Sequence, residues 1–181
     1  MTEPSTDLPL THFDADGAAR MVDVGAKPVT HRVAVAEAVV TAAESTIARV
    51  RAGDFAKGDV LAVARLAGIM GSKRTADLIP LCHPLGLDAV TIDFEFVGAT
   101  QLRILATTEV TAKTGVEMEA LTAASVAALT VYDMVKAVDR GVSIGPVQLI
   151  RKTGGKSGSW ERTPSDDQPV TAAGRTQAKP S

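Results

Sequence analysis

Apolar residues recur at every second position over residues 90–96 and again over 102–106, which restricts this part of the chain to a pleated β-hairpin. The apolar positions are Val90, Ile92, Phe94, Phe96, Leu102, Ile104 and Ala106. Gly98 lies between the two arms, where a tight turn is needed. Successive side chains of a strand point to opposite faces, so one face of this hairpin is predicted to be buried and the other solvated.

The segments on either side of the hairpin have strand and helix patterns. Residues 29–39 carry valines at alternate positions, which predicts a half-buried strand. "AESTIARVRAG" predicts a helix that ends at Gly53, and apolar residues at helical spacing predict a second helix from Val60 to about Ile79. "GVEMEALTAASVAALTVYDMVKAVDRG" predicts a long helix that stops at Gly141, and "PVQLIRK" predicts a last strand.

The predicted order β-α-α-β-β-α-β, with a hairpin in the middle, indicates an α+β fold. We expect a ferredoxin-like antiparallel sheet with helices packed on one face. The length of 181 residues suits one such domain. Polar composition without hydrophobic periodicity predicts a flexible N-terminus over residues 1–10 and a disordered tail over 158–181, which leaves a folded domain over 11–157.

Charge and cysteine content narrow the classes of function. The net charge of −2 argues against general electrostatic binding to DNA or RNA, so any anion site must be local. Cys82 is the only cysteine, so no intramolecular disulfide can form, and no spacing of Cys and His indicates zinc. The sequence has neither a signal-peptide pattern nor about 18 uninterrupted apolar residues, which predicts a cytoplasmic protein without a membrane span.

The segment "RKTGGKSG", residues 151–158, ends like a P-loop but lacks the required spacing. The pattern G-x-x-x-x-G-K-[ST] needs a glycine where Ile150 stands, and a helix after the lysine, which is not predicted here. Arg151, Lys152 and Lys156 are nevertheless separated by glycines whose amides can approach an anion closely. We expect a non-helical phosphate site here, with a glycine-rich exit into the tail as the alternative.

Asp133 and Lys136 in "YDMVKAV" are three residues apart, so they share a face of the predicted long helix. A solvated surface pair would be common and would contribute little to stability. Because apolar residues surround the two in the sequence, the alternative is a buried pair with perturbed proton affinity, which suits acid-base chemistry.

"DLIPLCHPL" sets Cys82 and His83 between two prolines, which forbid a regular helix and present His83 from rigid backbone. His83 is therefore either a structural residue or one that faces a ligand. Glu117 and Glu119 fall in the first turn of the long helix, where the helix dipole favours carboxylates. Lys57 lies in "KGDV", just before the second predicted helix, and its surroundings in the sequence predict an ordinary solvated lysine.

Together and in this order, these motifs resemble the molybdenum cofactor biosynthesis protein C family, the cyclic pyranopterin monophosphate synthases. The resemblance covers residues 11–158 and rests on "MVDVGAK", "KGDV", "AGI", "KRTADLIPLCHPL", "KTGVEMEALTAASVAALTVYDMVKAVDRG" and "GPVQLIRKTGGKSG". It implies a lyase that converts (8S)-3′,8-cyclo-7,8-dihydroguanosine 5′-triphosphate into cyclic pyranopterin monophosphate and diphosphate. A non-catalytic nucleotide-binding module is the alternative class.

The resemblance also implies a homohexamer, a trimer of dimers with active sites at subunit interfaces, and no nucleic-acid or membrane partner. It implies no redox cofactor and no metal ligand in the protein, and leaves open whether Mg²⁺ accompanies the diphosphate. Asp133 matches the catalytic aspartate, with Lys136 and Lys57 as proton-transfer partners. The implied substrate-binding residues are Leu81, Cys82, His83, Met118, Glu119, Lys152, Lys156 and, from a neighbouring subunit, Arg32.

Overall fold

The computed structural model describes residues 17–56 and 58–163, and in this part of the chain one antiparallel sheet is covered by helices. The strands are β1 (Thr30–Thr41), β2 (Ala89–Val97), β3 (Gln101–Ala112), β4 (Ser143–Thr153) and β5 (Trp160–Glu161). The helices are α1 (Glu44–Ala52), α2 (Val60–Ser72), α3 (Thr75–Leu78) and α4 (Glu117–Val135).

The strand order is β2-β3-β1-β4-β5, and each neighbouring pair is antiparallel. Strands β1 to β4 form the split β-α-β arrangement of ferredoxin-like folds, so the predicted α+β class is confirmed. The hairpin of β2 and β3 has the expected register, because Ile92 lies opposite Ala106 and Phe94 lies opposite Ile104. Gly98 follows β2 with a φ of 63°, a left-handed conformation that glycine adopts without strain.

The core lies between the helices and one face of the sheet. Ala34, Ala36 and Ala38 of β1 are fully buried, and α4, which packs on β1 and β3, faces them with further alanines. Helix α2 packs beside α4 at such close range that a Cβ atom on Gly68 would lie 2.8 Å from the carbonyl oxygen of Ala123. By length and composition α4 could cross a membrane, but half of this apolar stretch is buried inside the domain, as expected of a core helix.

The second helix differs from the prediction, because α2 ends at Ser72 and the short α3 follows it. The Ser72 hydroxyl donates a hydrogen bond to the carbonyl of Ile69, and the Thr75 hydroxyl donates one to the carbonyl of Ser72. Such side-chain bonds compete with the backbone pairing of a continuous helix. The helical spacing that extends to Ile79 therefore belongs to two elements joined by a turn.

Strand β5 lies inside the tail predicted over residues 158–181. It pairs with the end of β4, and the amide of Arg162 donates to the carbonyl of Ile150. Backbone pairing at a sheet edge orders this short piece, although its composition alone indicates disorder. The rest of the predicted tail, residues 164–181, and the predicted flexible N-terminus over 1–10 lie outside the described residues.

Candidate active site

A pocket of about 310 Å³ opens beside the N-terminus of α4, where the segment between Pro80 and Pro84 meets the first helical turn. The two prolines keep Cys82 and His83 out of a helix and direct this segment along the pocket wall. We call this cavity the apolar pocket. Its lining includes Leu81, Cys82, His83, Leu85, Met118 and Glu119. Five residues that the resemblance assigned to substrate binding therefore line one cavity, although they come from two distant parts of the chain.

The imidazole of His83 is oriented by a main-chain carbonyl. Its Nε2 atom lies 2.8 Å from the carbonyl oxygen of Val22. A carbonyl only accepts, so Nε2 carries the proton of this hydrogen bond, and Nδ1 of the neutral ring is left with its lone pair. His83 can thus accept a proton or a hydrogen bond from a ligand in the apolar pocket.

Glu119 is the buried carboxyl group of the apolar pocket, with only 4% of the residue exposed. Burial raises the pKa of Glu119 above its ordinary value, and the neighbouring Glu117 carboxylate raises it further. The pKa of the Cys82 thiol is also raised, first by burial and then by the charges of Glu119 and Glu117. This end of the pocket therefore resists added negative charge and suits a neutral or hydrogen-bond-donating ring.

A second cavity, of about 450 Å³, adjoins the apolar pocket, and Lys27, Thr114 and Gly115 line both. We call it the cationic groove. The remaining residues that line it are Arg32, Lys113, Lys156 and Ser157. The two cavities thus form a continuous cleft with an apolar end and a positively charged end.

The glycines of "RKTGGKSG" have a steric role at this charged end. Gly154 and Gly155 have positive φ values of 94° and 72°, and a Cβ atom on Gly155 would collide with the guanidinium of Arg32. Arg32 in turn donates from Nε to the carbonyl of Ala112 at 3.1 Å and from Nη2 to that of Lys113 at 3.2 Å. Arg32 of the same protomer therefore lines the groove, whereas the resemblance implied Arg32 of a neighbouring subunit.

No α-helix follows Lys156 in the described residues up to 163, where the chain instead enters β5. The rejection of a P-loop is confirmed. Lys152 lines a smaller neighbouring cavity of about 160 Å³, which shares Arg32 and Gly115 with the groove, and it donates to the carboxylate of Glu117 at 2.9 Å.

Asp133 and Lys136 form the expected ion pair, with 2.6 Å between Oδ1 and Nζ, but the pair is not buried. The side chains are 60% and 51% exposed, and the hydrogen bond from Asp133 raises the pKa of Lys136. Of the two alternatives that the sequence left open, the single chain therefore shows the solvated surface pair and not the buried one. Asp133 and Glu119 lie about 21 Å apart along α4, since an α-helix rises about 1.5 Å per residue.

One protomer thus divides the predicted site residues into two groups. The predicted substrate-binding residues lie along the cleft and the small cavity beside it, near the N-terminus of α4, and the predicted catalytic pair lies at the C-terminus of the same helix. Lys57, the third predicted catalytic residue, lies outside the described residues.

Comparison with known proteins agrees with this arrangement of motifs. Residues 21–155 match the MoaC family. The chain belongs to the MoaC family. It is 61% identical over 160 residues to the cyclic pyranopterin monophosphate synthase of Thermomicrobium roseum, a match that covers 88% of this chain and 95% of the relative.

Two further relatives are also named cyclic pyranopterin monophosphate synthases. The cyclic pyranopterin monophosphate synthase of Novosphingobium aromaticivorans is 57% identical over 152 residues, covering 84% of this chain and 96% of the relative. Cyclic pyranopterin monophosphate synthase 1 of Mycobacterium tuberculosis is 58% identical over 159 residues, which cover 88% of this chain and 94% of the relative. The family match over residues 21–155 of this MoaC family member includes both ends of α4 and all residues of the apolar pocket, and it ends just before Lys156 and Ser157 of the cationic groove.

Sequence reasoning missed three contributors to the cleft of this family member: the carbonyl of Val22, Lys27 and Lys113. Lys27 lies in a loop and Lys113 lies just after the end of β3. Surface lysines in such positions are common in proteins and most of them have no specific function. One signal could have found Lys113, because it lies just before the N-terminus of a long helix, where anions are favoured. Among the described residues no group of three potential metal-binding side chains comes together.

Proposed function

We propose that this chain is a cyclic pyranopterin monophosphate synthase of molybdenum cofactor biosynthesis. It converts (8S)-3′,8-cyclo-7,8-dihydroguanosine 5′-triphosphate into cyclic pyranopterin monophosphate and releases diphosphate. The observation that carries the proposal is the continuous cleft, in which an apolar pocket joins a cationic groove. The relatives that bear this name match the chain over more than four fifths of its length.

The two ends of the cleft suit the two ends of this substrate. The apolar pocket, at about 310 Å³, has the size of a small-molecule site and offers His83 and Glu119 to the polar edge of a ring. The cationic groove takes the triphosphate, whose negative charge Arg32 and Lys156 oppose there. Leu81 and Met118 supply apolar contact to the faces of the ring.

The chemistry requires ring opening and reclosure with several proton transfers, which Asp133, Lys136 and Lys57 perform. In one protomer Lys136 is half exposed and its pKa is raised, which keeps the ammonium protonated at neutral pH. A group that exchanges protons near neutrality needs a lower lysine pKa, and desolvation lowers it. The catalytic pair therefore functions when a second chain covers it.

This requirement supports the homohexamer, built as a trimer of dimers. The two groups of site residues lie at opposite ends of α4, too far apart for one small substrate to touch both. Exposed apolar side chains near this helix offer a surface for a second copy, namely Val63, Leu66 and Met70 of α2 and Leu129 of α4. In the assembly, Asp133 and Lys136 of one chain face the cleft of another.

The conversion needs no external oxidant or reductant, so we propose a lyase without a redox cofactor. Mg²⁺ enters, if the reaction needs it, with the polyphosphate rather than through a protein metal site. A chelator titration of the purified protein during turnover measures that requirement. Cell fractionation with an antibody to the chain tests the proposed cytoplasmic location.

The decisive experiment incubates the purified chain with the cyclic dihydroguanosine triphosphate and measures both products. Oxidation converts pyranopterin into a fluorescent pterin, and a coupled assay measures diphosphate. Equal amounts of the two products are expected. Binding of the triphosphate without formation of either product would instead identify a non-catalytic nucleotide-binding module.

A further inference from the structure

One wall of the apolar pocket is formed by residues 21–27, a segment before β1 that is neither helix nor strand. We call this segment the strap. Val22, Val24 and Lys27 of the strap line the pocket, and the two valines are half-buried while Asp23 between them is exposed. Because the strap is outside the sheet and the helices, its position depends on side chains that reach it from the folded domain.

The shape of the strap is fixed by hydrogen bonds within it. The amide of Lys27 donates to the carbonyl of Val24 at 3.0 Å, which closes a β-turn. The amide of Gly25 donates to the Asp23 carboxylate at 2.7 Å, a contact typical of an aspartate in a turn. These bonds hold the strap together, but they do not decide how it lies against the pocket.

Lys113 connects the strap to the folded domain. Its Nζ atom donates to the carbonyl oxygen of Gly25 at 2.6 Å. Lys113 lies between the end of β3 and the start of α4, and Arg32 of β1 donates from Nη2 to the carbonyl of Lys113 at 3.2 Å. The lysine that holds the strap is therefore itself held by elements of the sheet and by the long helix.

The strap also meets His83, three residues before Gly25. The carbonyl of Val22 lies 2.8 Å from Nε2 of His83, so it keeps the proton of the neutral ring on that nitrogen. The position of this carbonyl thus decides which ring nitrogen remains free to accept a proton or a hydrogen bond. Val22 and Gly25 belong to one short strap, so the contact of Lys113 also bears on the imidazole.

We infer that Lys113 is a positioning residue: by holding Gly25, it keeps the carbonyl of Val22 against His83 and fixes the tautomer of the ring. This inference rests on the proposed function, in which His83 faces the ring of the substrate. It assigns a task to a lysine to which the family resemblance gives none. A functional side chain keeps its geometry only when hydrogen bonds to supporting residues lock it in place.

The alternative is that Lys113 acts only as a cation of the groove. The two roles differ in the ligands that they affect. A cation attracts the charged part of a ligand, whereas the strap shapes the apolar pocket for an uncharged ring as well. Pterin, a neutral ring system without phosphate, therefore separates the two roles.

Nitrogen-15 NMR of the full-length chain, labelled at histidine and measured at about pH 8, where histidine is ordinarily neutral, determines the tautomer of His83. The signals of His83 are identified by their loss in His83→Gln. Lys113→Met is expected to raise the Nδ1-protonated fraction about fivefold, because the loss of one hydrogen bond releases the strap. Lys113→Arg retains a donor and should restore the wild-type ratio. Lys27→Met removes a charge from the same cleft, but the strap contact of Lys27 is made by its backbone amide, so the ratio should stay unchanged.

A fluorescence titration with pterin measures the second consequence. Lys113→Met should bind pterin about fivefold more weakly than wild type, and Lys113→Arg should bind it with nearly wild-type affinity. A circular dichroism melt shows whether each variant is folded. Lys113→Gln, whose side chain is one bond shorter, replaces Lys113→Met if the latter unfolds, with the same expected results.

An unchanged tautomer ratio in the folded variant would overturn the inference and leave Lys113 as a cation of the groove. Turnover by wild type is measured separately. If wild type forms pyranopterin and the tautomer ratio does not depend on Lys113, this inference fails alone. If the ratio depends on Lys113 and wild type forms no pyranopterin, the proposed function fails instead.

Discussion

The ammonium of Lys152 lies 2.9 Å from the carboxylate of Glu117, so the first turn of α4 neutralises the lysine at the end of β4. This contact changes the interpretation of "RKTGGKSG". The glycines give close access to an anion, but Lys152, at the end of β4, is already paired. Lys156 and the lysines of two other segments supply the charge that is not compensated.

Replacing Glu117 by glutamine should release the charge of Lys152 to the groove. Because the pair is partly exposed, the expected gain is modest, up to about fivefold tighter binding of inorganic diphosphate in calorimetry. The control is Glu44→Gln, which removes an exposed carboxylate in the first turn of α1. Unchanged or weaker binding in Glu117→Gln would contradict the view that Glu117 competes with the ligand for Lys152.

Replacing Asp133 by asparagine should reduce turnover by at least about a hundredfold and leave the affinity for the triphosphate unchanged, because the amide cannot exchange a proton with Lys136. Pterin fluorescence measures turnover, and calorimetry measures binding. A matched control is Asp77→Asn, which alters another exposed i,i+3 pair, Arg74 with Asp77. Normal turnover in Asp133→Asn would exclude this aspartate from the catalytic machinery.

A mixture of two impaired variants should recover activity if each active site takes residues from two chains. Lys152→Ala mainly weakens triphosphate binding, and Asp133→Asn blocks proton transfer, so each is nearly inactive at low substrate concentration. If the chain forms the proposed hexamer, unfolding and refolding the two variants together produces mixed assemblies in which some sites contain neither substitution. Sedimentation verifies the assembly, and no recovery in mixed hexamers would show that each chain completes its own site.

The fold was predictable because its strongest signals are local. The alternation in the hairpin depends only on the two-residue period of a strand, and Ile92 and Phe94 lie opposite Ala106 and Ile104 as that period requires. The resemblance to a known family also assigned His83 and Glu119 to substrate binding, and both residues line one pocket in the structure. By contrast, Lys113 meets Gly25 across 88 positions of the chain, a contact that no local pattern contains.

The environment of Asp133 shows a different limit of sequence reasoning. Its neighbours Val131 and Val135 are almost fully buried, yet Asp133 is 60% exposed. Residues two apart on a helix lie on different sides of it, so apolar neighbours in the sequence do not bury a carboxylate between them. The side of α4 that faces solvent is decided by the sheet and α2, which lie elsewhere in the chain.

The carboxylate of Asp139 joins the segment after α4 to the start of α1, and its contribution to stability should depend on pH. It accepts hydrogen bonds from the amides of Ala43 and Gly141 and from the Thr46 hydroxyl. These bonds, above all that from Ala43, lower the pKa of Asp139 in the folded chain.

A lowered folded pKa means that the stabilisation is present above the ordinary aspartate pKa and is lost as the pH falls through the folded value. Urea midpoints of wild type and Asp139→Asn should therefore differ at neutral pH and converge in acid. Asp93→Asn, on β2, is the control. If the difference in urea midpoint between wild type and Asp139→Asn stayed constant down to acid pH, the charge of Asp139 would not be the source of the stabilisation.

Replacing Gly68 by alanine should destabilise the domain by about 1–3 kcal/mol. The new Cβ atom would lie 2.8 Å from the carbonyl oxygen of Ala123, and this clash would force α2 away from α4. The carbonyl belongs to the backbone of a buried helix and cannot rotate aside, which outweighs the better helix propensity of alanine. The control is Gly86→Ala, where a Cβ atom would meet nothing within 4 Å. Urea unfolding measures both variants. A free energy of unfolding for Gly68→Ala equal to that of wild type would show that the two helices can separate without cost.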